Sequence, residues 1–298
     1  MSAEALYTPF EVPYRISMGL MRLQKAEWFE IDDDWAADLA EKRRLLAERH
    51  DELVGVVPGS EAGQGELLAV LARHLAAHHP ERYRLEGKLL HLPELDESWH
   101  LDQARLAPID LAGRLVQEDL CLMQHDGVHW RLTAASVCFP TRWRLADKMG
   151  RPLQEIHAPV PHFQERLERP VVRFFDTLKL DRPVWRLNWS LLDSPALYQP
   201  KGHGRMQEDA AITPENAGEK VWLRVERQTL TRLPETGAIV FTIRIHRWPL
   251  ARLARLPEAV AKMRQSLETM PEATQRYKSM PVFGRAVRAW LANLEATP

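Results

Sequence analysis

The feature that most constrains the fold is a pair of long segments in which apolar and polar residues alternate. Residues 118–139 contain a strand, a turn at His125-Asp126-Gly127 and a second strand, and residues 221–246 repeat this plan around a turn at 233–237. Because side chains alternate between the two faces of a β-strand, such a pattern separates one apolar face from one polar face. The two segments therefore predict antiparallel β-hairpins in the middle of the chain.

The second hairpin carries many charged residues, and their positions predict which of them share a face. One face of the first strand has Arg224, Glu226, Gln228 and Arg232, and the other face has Val221, Leu223, Val225 and Arg227. A further strand at 184–192 places Arg186 and Asn188 opposite its tryptophans and leucines. Such a face can be solvated, with cross-strand Arg–Glu pairs worth only a few tenths of a kcal/mol. It can equally be half-buried, with arginines that receive the carboxylates of a ligand.

Helical periodicity lies on both sides of these strands. Apolar residues recur at helical spacing over 35–51 and 65–79, over 163–178 between the hairpins, and over 256–294. Because strands and helices are grouped rather than strictly alternating, the sequence predicts an α+β fold: an antiparallel sheet core with helical N- and C-terminal additions. We expect an N-terminal helical region at 1–100 packed on the core, the sheet core at 101–255, and C-terminal helices at 256–298.

Charge and cysteine content exclude several classes of function. The 298 residues include 40 basic and 41 acidic side chains, so the net charge of −1 gives no electrostatic reason to expect nucleic acid or a membrane surface as a partner. Cys121 and Cys138 lie in apolar runs and are expected to be reduced core residues. Two thiols alone cannot build a structural zinc or iron–sulfur site. With no signal peptide and no membrane-spanning stretch, we expect a soluble, cytoplasmic protein.

His157 lies in the segment Glu155-Ile156-His157-Ala158-Pro159-Val160-Pro161. Each proline pushes the residue before it toward extended conformations, so Ala158 and Val160 are predicted to be extended, with no helix until Pro161. A histidine on a stiff loop is a good metal ligand, because little backbone entropy is lost on binding. The alternative is a histidine with only a structural role in the loop.

Two other kinds of site lack their sequence signals. The segment Gly202-His203-Gly204-Arg205 has no strand-turn-helix context for binding a nucleotide phosphate, and no Gly-x-Ser-x-Gly motif is present. The glycine- and proline-containing stretch 199–220 is predicted to be a long irregular connection and a candidate lid.

Several motifs in one order resemble those of the haem-dependent oxidative N-demethylase family, which is built around the α subunit of a dimethylamine-oxidising complex. The resemblance extends from about Tyr14 to Lys278 and rests on 117–122 (QEDLCL), 139–143 (FPTRW), 148–150 (KMG), 156–161 (IHAPVP), 186–189 (RLNW) and 224–234 (RVERQTLTRLP). It implies a PAS-like haem-binding sheet core. It also implies monooxygenase-type oxidation of a small secondary amine, with O2, to a primary amine and formaldehyde.

The resemblance also implies partners and site residues. Electrons would come from NADPH through flavin- and iron–sulfur-bearing reductase subunits, because this chain has neither the cysteines nor a nucleotide motif for those groups. His157 is the expected axial ligand of the haem iron. Arg224, Arg227 and Asn188 are the expected cofactor contacts, and only one of the two arginines should face the pocket in a regular strand. Glu226 is the expected catalytic residue, which would hold a protonated amine or transfer protons, although a salt bridge to Arg224 or Arg244 is an equal alternative.

Two other classes of function are compatible with this sequence. A haem or small-ligand sensor would use the same PAS-like core without turnover, but it would need an effector domain that the sequence does not contain. An interaction scaffold would need no buried arginine face.

Overall fold

The computed structural model describes residues 6–296, which form a seven-stranded antiparallel sheet and a separate three-stranded sheet. The strands are β1 Met21–Arg22, β2 Val54–Val56, β3 Arg84–Glu86, β4 Leu89–Leu92, β5 Glu97–His100, β6 Asp119–His125, β7 Trp130–Ser136, β8 Val184–Leu192, β9 Trp222–Arg232 and β10 Ile239–Pro249. The large sheet has the order β1-β8-β9-β10-β6-β7-β2, and the small one has the order β3-β4-β5.

Nine α-helices and several shorter helical turns surround the sheets in the described part of the chain. The α-helices are α1 Trp35–Leu53, α2 Glu61–His78, α3 Pro108–Leu115, α4 Leu153–His157, α5 Glu168–Thr177, α6 Ala217–Lys220, α7 Pro257–Thr269, α8 Glu272–Tyr277 and α9 Gly284–Ala296. A π-helical turn, Phe163–Leu167, leads into α5. Helices α3 and α7 begin with proline, whose fixed φ suits the first helical position. No helix among residues 6–296 is long and apolar enough to cross a membrane.

The two predicted hairpins form the centre of the large sheet. β6 pairs with β7, β9 pairs with β10, and β10 pairs with β6 to join the hairpins. Gly127 (φ 99°) and Gly237 (φ 70°) occupy the left-handed region in the two turns, where a side chain would be strained. The predicted strand at 184–192 is β8, which pairs with β9 over its whole length.

Each face of the sheet is covered by different helices. Helices α1, α2 and α3 bury one face around Leu120, Leu122 and Val240. Helix α3 approaches β7 so closely that a Cβ atom on Gly113 would lie 2.1 Å from Ser136 Oγ. The other face packs Cys121, Leu132 and Leu230 under α4 and α5. A third core cluster joins α7 and α9 to Leu191 of β8 and Leu223 of β9.

Charged residues are buried on the face covered by α1–α3. Arg244 of β10 donates hydrogen bonds to Asp32 (2.6 Å) and Asp38 (3.1 Å), and Gln117 also donates to both carboxylates. The carboxylate of Glu118 accepts the Glu30 N–H at 2.9 Å. Burial raises the pKa of Glu118 to about 7, because an ionised carboxylate is poorly solvated there.

The predicted combination of helices with an antiparallel sheet is confirmed. The N-terminal region differs from the expected helical layer, since it also supplies the three-stranded sheet and both edge strands of the large sheet, β1 and β2. The division of the chain at residues 100 and 255 stays a prediction. The first five residues of the chain and residues 297–298 lie outside the described residues.

Candidate functional site

A cavity of about 340 Å³ lies between the large sheet and the segment that contains α4, the π-helical turn and α5. The coil at residues 14–20 and the turn around Tyr277 complete its wall. Most of the wall is apolar, with side chains that include Cys121, Met123, Leu132, Phe163, Val171, Phe175, Leu230 and Phe241. An apolar cavity with few polar groups is the usual form of a small-molecule or cofactor site.

His157 lines this cavity, but its backbone differs from the prediction. It is the last residue of α4, and Ala158 is also helical (φ −52°, ψ −34°) rather than extended. Hydrogen bonds from Ala158 N–H to Glu155 O and from Val160 N–H to His157 O hold the chain in successive turns. These local bonds offset the preference of a residue before proline for extended conformations. His157 is nonetheless held in place, by a helix end instead of an extended loop.

The ring of His157 is oriented by two contacts. Its Nδ1 lies 2.9 Å from Leu153 O, and the ring stacks on Phe163 with 4.7 Å between centroids and 16° between planes. Since a carbonyl only accepts, Nδ1 carries the proton in this bond and Nε2 keeps its lone pair. Burial lowers the pKa of His157 to about 4, so the neutral form persists at neutral pH. A neutral imidazole anchored through Nδ1 is the form that ligates metals through Nε2.

Glu226 is the one carboxylate among the described residues that line the cavity. Its Oε2 accepts hydrogen bonds from Asn188 Nδ2 (3.2 Å) and Gln228 Nε2 (2.7 Å). The even-numbered positions of β8 and β9 thus share the face that sequence periodicity predicted, and Asn188 and Glu226 meet as adjacent residues in register. The alternative of a salt bridge from Glu226 to Arg224 or Arg244 is not found among the ion pairs of the described residues.

Cations outnumber this carboxylate in the cavity wall. Four basic side chains line it, namely Arg15, Lys148, Arg186 and Lys278. The Nε of Arg186 is buried and has no hydrogen-bond partner in residues 6–296, and burial lowers the pKa of its guanidinium. A buried donor without a partner is costly in free energy, so this arginine is a candidate contact for an anionic ligand.

Arg224 and Arg227 occupy different places from those predicted. Neither is among the described residues that line the cavity. Arg224 lies on the cavity side of β9 but is 2% exposed, and its guanidinium donates to Thr141 Oγ1 and to the carbonyls of Phe139, Ala196 and Leu197 at 2.8–3.0 Å. It therefore joins the loop after β7 to the loop after β8, and the geometry gives a cofactor contact no support.

Arg227 points to the opposite face of the sheet. Its Nε forms an ion pair with Glu30 at 3.1 Å, and its guanidinium lies 5.3 Å from the centre of the Trp185 ring. It also donates to the carbonyls of Glu27 and Trp28. Only Arg224 lies on the cavity side of the strand, and its guanidinium is bound by the protein itself. That one of the two arginines faces the pocket stays a prediction.

The polar end of the cavity contains residues that sequence reasoning missed. His203 stacks on Tyr277, with ring centroids 4.1 Å apart, and its Nδ1 lies 2.9 Å from Tyr277 O. Lys278 Nζ donates to Trp189 O at 2.5 Å and to Ser190 Oγ at 3.3 Å. The one available signal for His203 was a histidine between two glycines, Gly202 and Gly204, both of which have positive φ. Tyr277 and Lys278 gave none, because they lie at the end of the short helix α8 and belong to no distinctive motif.

The side chains of the cavity wall fit an iron that belongs to an organic cofactor and takes one nitrogen ligand from the protein. Within residues 6–296 no three His, Cys, Asp or Glu side chains come together as a metal site. A haem iron needs only axial ligands from the protein, its macrocycle needs apolar walls, and its propionates need cations. His157, the apolar wall and the unpartnered Arg186 match these three needs.

Comparison with known families agrees with this reading of the cavity. The sequence model of the family described as haem-dependent oxidative N-demethylase, alpha subunit-like, matches residues 19–288. That match includes His157, Arg186, Asn188, Glu226 and Lys278, and it ends ten residues beyond the extent expected from the motifs. Since it spans most of the 298 residues, the chain belongs to the haem-dependent oxidative N-demethylase alpha-subunit-like family.

Proposed function

We propose that this protein is a haem-binding catalytic subunit that oxidises a small secondary amine, such as dimethylamine, to a primary amine and formaldehyde. The observation that carries the proposal is His157, a neutral imidazole in the cavity wall whose Nδ1 is fixed to Leu153 O. Family membership supports the same cofactor and reaction class.

His157 would hold the haem iron through Nε2, and Arg186 would contact a propionate. This assignment replaces the earlier expectation for Arg224 and Arg227, whose donors are used within the protein. Charge balance supports an anionic ligand, because one carboxylate and four basic side chains line the cavity, three of them besides Lys278. A free dimethylammonium ion alone would increase that excess of positive charge. When bound, the haem supplies the redox centre at which the amine is oxidised with O2.

Glu226 would bind the substrate ammonium group. Asn188 and Gln228 hold one carboxylate oxygen in place, so the carboxylate loses little freedom when a cation pairs with it. Such a pair orients the amine and can accept its proton before oxidation. The apolar wall excludes water around the methyl groups and favours small alkylamines over larger polar ones.

Electrons would come from a partner subunit. Cys121 and Cys138 are both free and buried, and burial raises the pKa of each thiol, so neither is suited to ligate an iron–sulfur cluster. The family's description as an alpha subunit supports an assembly with further subunits. We infer that these carry the flavin and iron–sulfur groups that deliver electrons from NADPH.

The sheet supports a PAS-like core. Strands β7-β6-β10-β9-β8 are consecutive in the sheet, with two hairpins joined through β6 and β10. The segment that connects the hairpins supplies α4 and α5, which enclose the cavity on one face. A ligand held between the sheet and this connecting segment is the arrangement expected of a PAS-like haem domain.

The axial ligand is tested by absorption spectra of the haem-loaded protein. His157→Ala is expected to lose haem or shift the Soret band while circular dichroism shows a folded chain. His203→Ala is the matched control, because His203 lines the same cavity and is also anchored through Nδ1. An unchanged spectrum in His157→Ala would show that His157 is not the ligand of the haem iron. Loss of haem in His203→Ala alone would assign that role to His203.

The reaction is tested by formaldehyde release from dimethylamine and from larger secondary amines. The isolated haem-loaded chain should release none with NADPH alone, and it should become active when a reductase or hydrogen peroxide is added. Release with NADPH alone would reveal an electron-transfer site in this chain. No release under any condition would favour a sensor, and a protein that never binds haem would refute both functions.

A further inference from the structure

Lys278 is a buried lysine whose amine faces the polar end of the cavity. It follows α8 directly, and the residue is 8% exposed. Its Nζ has two hydrogen-bond acceptors, Trp189 O at 2.5 Å and Ser190 Oγ at 3.3 Å, and lies 5.7 Å from the centre of the Trp189 ring. These contacts hold the amine of Lys278 at a fixed position at the polar end of the cavity.

The contacts of Lys278 Nζ accommodate the neutral amine as well as the ammonium ion. An ammonium group has three N–H donors, whereas a neutral amine has two donors and one lone pair. The two acceptors satisfy both donors of a neutral Lys278 and leave its lone pair free, whereas the face of the Trp189 ring favours the ammonium ion.

The surroundings of Lys278 lower the pKa of its amine. Burial and the nearby Arg186 lower the pKa of Lys278 to about 8, against the opposing effect of Glu226. His203 and Tyr277 are the other titratable groups at this end of the cavity, and burial lowers the pKa of His203, which keeps its imidazole neutral. A desolvated lysine beside another cation is a recognised form of activated amine nucleophile.

We propose that Lys278 is a reversible covalent capture site for a small aldehyde. The proposal rests on the proposed function, because that reaction releases formaldehyde into the same cavity. The lone pair of Nζ attacks the carbonyl carbon, the C=O π pair moves to oxygen, and one nitrogen proton is transferred to that oxygen to give an N-hydroxymethyl amine. Loss of water, which removes the hydroxyl group and the second nitrogen proton, gives a methylene imine. No electrons are gained or lost, and hydrolysis returns formaldehyde and the lysine.

A capture site would keep a reactive product at a defined amine. Lys148 also lines the cavity and also experiences the charge of Glu226, but its Nζ is held against Ile156 O and the Trp143 ring. Lys278 is hydrogen-bonded to Ser190, which follows Asn188 by two positions on the same face of β8 and so lies next to the residues that would bind the amine. We therefore expect capture at Lys278 in preference to Lys148.

The test is site-resolved labelling with limiting formaldehyde and cyanoborohydride, which reduces the imine to a methylated lysine. The haem-loaded full chain and the same chain without haem are labelled at pH 7, digested and mapped by mass spectrometry. A lysine with a pKa of about 8 is roughly one-tenth neutral at pH 7, against about 0.03% for an ordinary lysine, so the reactive fraction differs by roughly 300-fold. Restricted entry into the cavity reduces this advantage. We expect Lys278 to be methylated at least tenfold faster than the exposed Lys25 and Lys88 and faster than Lys148.

Lys278→Arg is the control variant, because arginine keeps donors for Trp189 O and Ser190 Oγ but forms no imine under these conditions. It should remain folded and should lose the fast phase of labelling. With ¹³C-formaldehyde, the bound N-hydroxymethyl carbon should give an NMR signal in the native chain that is absent in Lys278→Arg.

Labelling of Lys278 no faster than the exposed lysines, or an identical ¹³C signal in both proteins, would overturn aldehyde capture. These measurements need no amine oxidation. Fast labelling in a protein that never releases formaldehyde from dimethylamine would therefore reject the proposed reaction and keep the capture site.

Discussion

Two buried arginines on the same face of the sheet should affect different properties of the protein when each is replaced by methionine. Arg186 lines the cavity and has an unpartnered Nε, whereas Arg224 donates to one hydroxyl and three carbonyl oxygens of its own chain. We expect Arg186→Met to weaken haem binding with little effect on folding. Arg224→Met should lower the free energy of unfolding with little effect on haem affinity.

The magnitudes follow from what each guanidinium contacts. A charge-assisted hydrogen bond to a buried propionate is worth about 1.5–3 kcal/mol, so the haem Kd of Arg186→Met should rise about 10- to 150-fold. Its apoprotein stability should change by less than about 1 kcal/mol, since no hydrogen bond of Nε is lost. Arg224→Met leaves several buried acceptors unpaired at about 1–3 kcal/mol each, so we expect a loss of at least about 3 kcal/mol.

Two measurements separate these outcomes. Urea denaturation of the apoprotein gives the free energy of unfolding, and titration with haemin followed at the Soret band gives the Kd of the folded protein. If Arg224→Met weakens haem binding while Arg186→Met leaves the Kd unchanged, the assignment of Arg186 is wrong. The original expectation for Arg224 would then be restored.

Two further predictions concern stability. Glu118 has a folded pKa of about 7, above its ordinary value of 4.5, so its contribution to stability is fully present below pH 4.5 and is lost as the pH rises through 7. Urea denaturation near pH 4.5 should give the same free energy of unfolding for Glu118→Gln and for the native chain. At pH 8 the variant should be more stable by about 1–3 kcal/mol. A difference that does not change with pH would contradict the raised pKa of Glu118. Gly113→Ala should cost at least about 1–3 kcal/mol, because its Cβ meets Ser136, whereas Gly65→Ala in the open part of α2 should stabilise by up to about 1 kcal/mol. Equal thermal shifts for the two alanine variants would show that α3 can move away from β7.

Sequence reasoning was most successful where neighbouring residues decide the structure. The alternation in 184–192 gave both ends of β8 and placed Arg186 and Asn188 on the face that lines the cavity. The same rule placed Glu226 and Gln228 beside them. Period-two patterns suffice here because the strand geometry itself fixes which side chains share a face.

Sequence reasoning failed where distant contacts decide the outcome. The carbonyls bound by Arg224 are 27–85 residues away in sequence, and nothing local reveals that they occupy its guanidinium. Arg232 at the hairpin end likewise donates to Phe175 O and Leu178 O, which lie more than 50 residues away in sequence. At His157 the error was local, because turn hydrogen bonds outweighed the conformational preference imposed by Pro159.

The short strands β1 and β2 have a consequence for assembly. They border the large sheet on its two sides, so the longer β8 and β7 do not present open backbone edges to other chains along the paired residues. A fragment limited to residues 101–255 would lack both borders and would expose two long edges that favour aggregation. For the same reason a partner subunit cannot dock by extending this sheet at the positions already paired. A partner subunit would contact helices, loops or the rest of the two edges, because β1 pairs only with Val184 and Trp185 of β8 and β2 only with residues 134–136 of β7.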